Sequence, residues 1–476
     1  MRNKMKNIAK VWRSSTAFLL SAFSFLILIT SCSNELDDTL QPVNNGNLQF
    51  VVSDFPAFGE SGLTRAIGTQ DEGKTAWENG DQIIITLISQ KYGEQAVALT
   101  YNGSSWSTEA SLSYLENETP SVSVFYAPCY EVTEEGTMQL RSGMQLGMTE
   151  YLSGNYEIEN GIMAITFEGA IRTYSRLRIA GLSNQTLTVT TTDFIPAGAN
   201  NSSPESGEVP QAEGSVTYTL TTDNNGNAFL YGVFAEGATV SVKQGDVTLK
   251  DYTFTAEKNP NGTEHNKSYA LDATPVIDGT LGGKATAEES DITALVEQLK
   301  AYVDNGITTI IVPGSEPALI EMDSWTNTAI GEAIYRLSGS DDYDENNPYN
   351  GKIDLILQDV TEIVDQEFYS AWALNSITLP KVIKIGDEAF HRTWFLKTIT
   401  FESVLTEVNE TGGVMFAQVG KEVDGCNLFI NCGQMKENSV PTPDLATNTW
   451  KFKFENEFKS ITLTHTGACD ECKANQ

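Results

Sequence analysis

Histidine is the scarcest functional residue in this chain. There are three among 476 residues, His265, His391 and His465. None stands in the two-histidine helical spacing of a zinc protease, and no Gly-x-Ser-x-Gly elbow occurs, so two common hydrolytic chemistries lack their residues. Cations are short as well: 30 Lys and Arg face 63 Asp and Glu, a net charge of −33 at pH 7. A field of that sign repels phosphate backbones and anionic membranes, which argues against a nucleic-acid partner. Beyond the first thirty residues no apolar run reaches the length that a bilayer crossing requires. What is present is ample apolar material. At 40% hydrophobic residues the chain can build real cores, so its acidity reports solubility and not disorder. Its length suggests about three domains.

The N-terminus reverses the charge pattern. Arg2, Lys4, Lys6, Lys10 and Arg13 carry no acid among them, and an apolar stretch from Ala17 to Ile29 leads to Ile29-Thr30-Ser31-Cys32. A run this short, basic in front and small-residue behind, reads as a secretory signal over residues 1–31 and not as a membrane span. Small residues before a cysteine resemble the lipobox of bacterial lipoproteins, which implies a diacylated Cys32. Each buried acyl methylene stabilises such an anchor by ~0.8 kcal/mol. The tether over 32–47 opens Ser33-Asn-Glu-Leu-Asp-Asp38. It resembles the acidic export signal of lipoproteins displayed on the outer face of the Gram-negative outer membrane; a plain solvated linker is the other reading.

From Leu48 to Leu271 the pattern is almost entirely β. Asp81 to Ile88 reads as a buried strand, Ser121 to Tyr126 as a further one, and Met163–Phe167, Leu177–Leu182 and Leu187–Thr191 follow. Two hairpins are expected: Val216–Thr222 turning at Asp223-Asn-Asn-Gly226 into Ala228–Phe234, and Thr239–Lys243 turning at Gln244-Gly-Asp246 into Val247–Thr255. Those turn residues supply positive φ cheaply. Two sandwiches are predicted, over 48–170 and 171–272, with a linker over 273–290. The period then changes. Ile292, Leu295, Val296, Leu299 and Val303 make one helical face, capped by Ser290 or Asp291 and stopped at Asn305-Gly306. Trp325, Ile330, Ala333, Ile334 and Leu337 make a second, and Ile307–Val312 and Ile353–Leu357 read as strands.

An internal repeat follows. Ile363, Phe368, Trp372, Leu374, Ile377 and Leu379 recur 22 residues later as Ile385, Phe390, Trp394, Leu396, Ile399 and Phe401. Units that cannot bury their own apolar side must stack. A third unit around Phe416 and Leu428–Ile430 fits only with an insertion, and Ser460–Leu463 is a candidate terminal strand.

These segments resemble two families. Gly62-Leu-Thr-Arg65-Ala, Trp77-Glu-Asn-Gly-Asp81-Gln-Ile, Tyr101-Asn-Gly-Ser-Ser-Trp106 and Phe125-Tyr-Ala-Pro128 are similar to the fimbrillin lipoproteins of anaerobes. The resemblance covers about 48–272 and implies two transthyretin-like β-sandwiches. It also implies proteolytic processing at Arg65, after which a neighbouring subunit's strand fills the gap. About two hundred further residues stand here where a stalk subunit would offer its donor strand. Ile385-Gly-Asp-Glu-Ala-Phe390 with Leu396-Lys-Thr-Ile-Thr-Phe401 resembles the BspA-like leucine-rich repeats, which implies an α/β solenoid over 291–476 and adhesion to host or bacterial surfaces.

Other motifs have plainer explanations. Gly68-Thr-Gln-Asp-Glu-Gly-Lys74-Thr75 fits the P-loop pattern, but Asp71 and Glu72 lie inside the would-be phosphate cradle and a strand follows, so it reads as a polar loop. Cys469-Asp-Glu-Cys472 is half a zinc signature; five cysteines remain besides Cys32, an odd count, and a local disulfide is the plainer expectation. Asp341-Asp-Tyr-Asp-Glu-Asn-Asn347 alternates oxygen ligands but lacks the glycine and terminal glutamate of a calcium loop. Trp372 and Trp394 fall on the repeat and read as packing residues rather than a sugar platform.

The sequence therefore predicts a mainly β, non-catalytic surface lipoprotein without cofactor or metal: two transthyretin-like sandwiches, then a short leucine-rich-repeat-like solenoid. Its expected partners are the outer membrane through the lipid on Cys32 and a host or bacterial surface protein or glycan. In the repeat strands Ile377, Leu379, Ile399 and Phe401 would face inward. Thr378, Thr398 and Thr400 would face out and contact ligand, as a strand's two-residue period requires. The alternative is a structural accessory or anchor subunit of a fimbria, in contact with other fimbrial subunits; glycan capture is the third.

Overall fold

The structure is a computed structural model that describes residues 49–56, 74–114, 119–167, 172–199, 214–255, 262–321, 326–339, 342–408, 415–431, 443–444, 449–450 and 458–464. Cys32, Arg65 and Trp325 lie outside the described residues. The chain is mainly β, arranged in several sheets.

Nine strands come first: β1 (Gln49–Val52), β2 (Gln82–Ser89), β3 (Gly93–Tyr101), β4 (Trp106–Ser107), β5 (Ser121–Tyr126), β6 (Tyr130–Val132), β7 (Met138–Leu140), β8 (Leu152–Glu159) and β9 (Ile162–Thr166). Seven of them form one sheet in the order β1-β9-β8-β5-β2-β3-β4, and β6 pairs with β7 apart from it. The run Gln-Ile-Ile-Ile-Thr-Leu-Ile-Ser of β2 is central, antiparallel to β3 and β5, with Ile83, Ile85 and Leu87 fully buried. The two ends of the sheet, β1 and β4, approach each other, so the sheet wraps around one core. Trp77 closes the roll. Its ring meets Phe55, Trp106 and Tyr126 edge-on at 4.8, 4.9 and 5.2 Å, and its indole N–H donates to Ser53 O at 2.8 Å. Edge-to-face contact is the arrangement that ring quadrupoles favour.

Eight strands follow: β10 (Ser175–Ala180), β11 (Thr186–Thr191), β12 (Phe194–Pro196), β13 (Val216–Thr221), β14 (Asn227–Phe234), β15 (Thr239–Gln244), β16 (Val247–Thr253) and β17 (Ser268–Asp272). They make two four-stranded sheets, β12-β14-β10-β17 and β13-β11-β15-β16, around one shared core. The expected hairpin at Asp223–Gly226 is not one: β13 pairs with β11, β14 pairs with β10, and the turn crosses between sheets. The cause is local. The Asp223 carboxylate accepts from the backbone of Asn225 and Asn227, while Gly226, at φ +77°, is held against Gly181, whose N–H donates to Gly226 O at 2.8 Å. A Cβ at Gly226 would sit 2.2 Å from Gly181 O, so the turn is tied to β10. The second hairpin, β15 with β16, forms as expected.

The remaining elements are α1 (Glu289–Asp304), β18 (Thr309–Val312), β19 (Leu319–Glu321), β20 (Thr326–Thr328), α2 (Ala329–Leu337), β21 (Ile353–Leu357), β22 (Glu362–Ile363), β23 (Leu374–Leu379), β24 (Lys384–Ile385), β25 (Thr398–Phe401), β26 (Glu407–Val408), β27 (Asn427–Asn431), β28 (Pro443–Asp444), β29 (Thr449–Trp450) and β30 (Ser460–Thr464). Helix α1 is capped by Glu288, two residues before Ser290 and three before Asp291, because the Asp291 carboxylate reaches back to accept from the Glu288 N–H at 2.9 Å. The stretch 273–290, expected as a linker, is packed instead. Val276 bridges to Ile311, Thr286 bridges to Leu319, and Ile277 and Ala287 enter the C-terminal core. The Gln244–Asp246 turn also docks there, its Asp246 N–H donating to Asn305 Oδ1 at 2.8 Å.

Strands β18, β21, β23, β25, β27 and β30 form a six-stranded, wholly parallel sheet in chain order. Ile377 pairs with Ile399, the 22-residue step, while Ile399 pairs with Leu428, a step of 29 that locates the insertion in the third unit. Leu355 pairs with Ile377, again 22 residues on, so β21 is an earlier turn of the same stack. A narrower parallel sheet, β22-β24-β26, runs alongside. Between them the repeat side chains stack on their equivalents: Phe368 on Phe390 at 5.6 Å, Phe390 on Phe416 at 5.5 Å, and Trp372 on Trp394 at 5.2 Å.

Candidate functional site

The wide parallel sheet has two unlike faces. Ile310, Val312, Leu355, Leu357, Ile377, Leu379, Ile399 and Phe401 point inward and share a core with α1, α2 and the phenylalanine stack. A parallel sheet is ordinarily covered on both sides; here the opposite face is half-exposed from strand to strand. Strand register sorts that face into two rows. One runs Thr309, Asp354, Ser376, Thr398, Asn427, Ser460, and the other Ile311, Ile356, Thr378, Thr400, Phe429, Thr462.

Thr378, Thr398 and Thr400 therefore meet at the middle of one surface. Thr378 and Thr400 are register partners, and Thr398 lies two residues before Thr400 on the same side. The ends of the first row are internally satisfied. Asp354 Oδ1 accepts from Ser376 Oγ at 2.6 Å and Asn375 Nδ2 at 2.7 Å, and Ser460 Oγ donates to Asn427 Oδ1 at 2.8 Å. The hydroxyls of Thr378, Thr398 and Thr400 have no hydrogen-bond partner among the described residues. Each can donate and accept, so the centre of the face is a strip of uncommitted hydroxyls. Sequence reasoning missed Phe429, Ile311 and Ile356, which share the Thr400 row. Stepping back 22 residues from Ile377 and Leu379 reaches Leu355 and Leu357, a signal that would have placed Ile356 beside Thr378.

The competing motifs resolve differently. Lys74, the one cation of the Gly68–Thr75 pattern, donates to both carboxylate oxygens of Asp81 at 2.5 and 2.6 Å and to Tyr126 Oη at 3.1 Å. Its charge is committed to its own sheet. A cleft of about 530 Å³ between the first and second β regions is lined by Lys74, Tyr126, Met148, Glu150 and Phe229. Its two acids are committed as well: Glu150 pairs with Arg172 at 3.1 Å, both buried, and Asp223 accepts from the Asn225 and Asn227 N–H groups. In the acidic loop the Asp344 carboxylate accepts from Asn346, and Tyr343 sets its ring against Trp372 and Trp394 at 5.1 and 4.8 Å. Trp372 is fully buried and Trp394 only 8% exposed, so both are packing residues. No cluster of His, Cys, Asp and Glu among the described residues could hold a metal ion, and Cys432, His465, Cys469 and Cys472 lie outside them. No helix among the described residues is long and apolar enough to cross a membrane.

Known proteins offer little to set beside this face. No family model matches the chain, and no curated protein is similar to it. Among solved structures, a Bacteroides fragilis chain described as a "putative cell adhesion protein" is similar at 12% identity and a TM-score of 0.28, over 48% of this chain and 92% of that one.

Proposed function

We propose that this chain is a non-catalytic adhesin of the bacterial outer membrane, anchored through acylated Cys32 and binding its ligand on the open face of the parallel sheet. In this reading the N-terminal sheets are fimbrillin-like, transthyretin-like spacers and the stack is a leucine-rich-repeat-like solenoid. One observation carries it: Thr378, Thr398 and Thr400, half-exposed and without hydrogen-bond partners among the described residues, gather at the centre of the outward face of the parallel sheet. A face kept for packing would be apolar; one kept for solvent alone needs no ordered rows. The test is adhesion by cells displaying the wild-type chain and a triple Thr378→Ala, Thr398→Ala, Thr400→Ala variant. Equal adhesion at equal surface display would sink the proposal. Cys32→Ala should abolish fatty-acid labelling of the chain.

A second reading, an accessory or anchor subunit of a fimbria, is favoured by the place of β1. This strand precedes Arg65 and lies at the edge of its sheet, joined by parallel pairing to β9 and giving Phe50 and Val52 to the core. A cut after Arg65 would free β1 and leave a strand-shaped gap that a second subunit's strand could fill. Detergent-resistant polymer ladders, lost in Arg65→Ala, would favour this reading.

A further inference from the structure

We infer that the open face takes an uncharged polysaccharide laid across the strands; this rests on the reading of that face as the binding surface. Charge narrows the ligand first. Neither row carries a lysine or arginine, and Asp354, their one carboxylate, is already held by Ser376 and Asn375. An anionic ligand would find no counter-ion there and would have to approach a chain of net charge −33. A cationic one would find no free carboxylate in either row. The ligand is neutral where it touches.

Hydrogen bonding and shape narrow it further. A threonine hydroxyl donates and accepts, and so does a sugar hydroxyl, so Thr378, Thr398 and Thr400 can meet sugar hydroxyls in either polarity. Phe429 stands half-buried between Thr400 and Thr462 in the same row. A pyranose ring has an apolar C–H side that packs on a phenyl ring while its rim hydroxyls reach the neighbouring threonines. Rows crossing parallel strands repeat at ~4.8 Å, so Thr378, Thr400, Phe429 and Thr462 span about 14 Å across four strands, which suits a chain of sugars better than a single one. A protein partner fits less well. Protein interfaces concentrate aromatic residues, Met and Arg at a desolvated centre, and of these the two rows offer Phe429 alone.

The experiment uses the full mature chain and three probe sets: a panel of neutral polysaccharides (dextran, mannan and β-linked glucans), hyaluronan as the anionic control, and fibrinogen as the protein probe. Binding is measured for wild type, Thr400→Ser, Thr400→Asp and a Thr378→Asp/Thr400→Asp pair, with melting temperatures confirming intact folds. The expected result is retention by at least one neutral polysaccharide and none by hyaluronan. Affinity should be kept in Thr400→Ser and fall on the order of tenfold or more in the aspartate variants. Polysaccharide binding indifferent to the aspartates would overturn the proposed site. Fibrinogen binding that the aspartates abolish, with no polysaccharide bound, would overturn the ligand class yet leave the adhesive face standing. Retention by none of the probes would overturn the ligand class as well.

Discussion

Left-handed backbone is handled differently in the two halves of this molecule. Among the described residues up to 272, the non-glycine residues at positive φ are Asn160, Asn184, Asp193 and Asn266; among those of the repeat stack they are Gln366, Ser370, Glu388, Arg392 and Gln418. Asn and Asp tolerate this region because their short side chains bond locally, whereas the others gain nothing from it. In the first half the residue itself suits the turn. In the stack the next unit imposes it: the N–H of Gln366 donates to Asp387 O, that of Ser370 to His391 O, and that of Arg392 to Ala417 O. The N-terminal sheets are thus specified turn by turn, and the stack is specified by its neighbours.

Breaking the stacking should therefore cost most. Phe390 is fully buried between Phe368 and Phe416. Phe390→Ala is expected to destabilise the C-terminal unit by about 4 kcal/mol and to lower its melting transition ahead of the β-rich half. Two transitions moving together by the same amount would show that the stack does not depend on its neighbours in this separate way.

Two buried acids, Glu150 and Glu367, are also held differently. Glu150 is paired: burial pushes its carboxyl up, and the Arg172 guanidinium, itself buried, pulls it back down. Removing one partner strands the other, so Arg172→Ala should destabilise the N-terminal half by about 3 kcal/mol in urea melts, with much of the loss recovered in Arg172→Ala/Glu150→Gln. Glu367 has no cation. It accepts from Thr328 Oγ1 at 2.7 Å and from the Val364 N–H at 3.0 Å, and burial pushes it up to about 7 from an ordinary 4.5. Because the folded value is the higher one, the neutral acid's contribution is complete below about pH 4.5 and is lost as pH climbs through 7. Glu367→Gln should match wild type near pH 4.5 and exceed it by on the order of 2 kcal/mol at pH 8. A gain that is the same at both pH values would mean that the carboxyl does not titrate there.

The same contrast explains what could be read in advance. The 22-residue repeat was legible because each apolar residue of one unit stacks on its equivalent, so Ile377 and Ile399 or Phe368 and Phe390 betray the period directly. The outward threonines followed from strand alternation alone. Partner choice in the antiparallel half was not legible. Whether β14 joins β13 or β10 is decided by the close approach of Gly226 to Gly181, two residues whose local sequences say nothing of each other. The packing of 273–290 was hidden for a related reason: its Gly-rich composition reads as a linker, and a few scattered side chains, Ile277 and Ala287 in the C-terminal core and Ala273 in the preceding one, anchor it.

The smallest effect belongs to Ser370 and tests the imposed turn most directly. The residue is fully buried at φ +53°, and its hydroxyl has no hydrogen-bond partner among the described residues. Both facts count against serine: the left-handed conformation costs roughly 1–2 kcal/mol for a residue with a Cβ, and a buried, unmet hydroxyl costs about 1 kcal/mol more. Ser370→Gly removes both and keeps the backbone bonds to His391 and Trp372. The small void and the freer unfolded chain offset part of that gain. A net stabilisation of about 1 kcal/mol, seen as a higher urea midpoint at unchanged slope, is the expected outcome. A loss of stability would mean that the side chain at this position, and not the neighbouring unit, sets the turn.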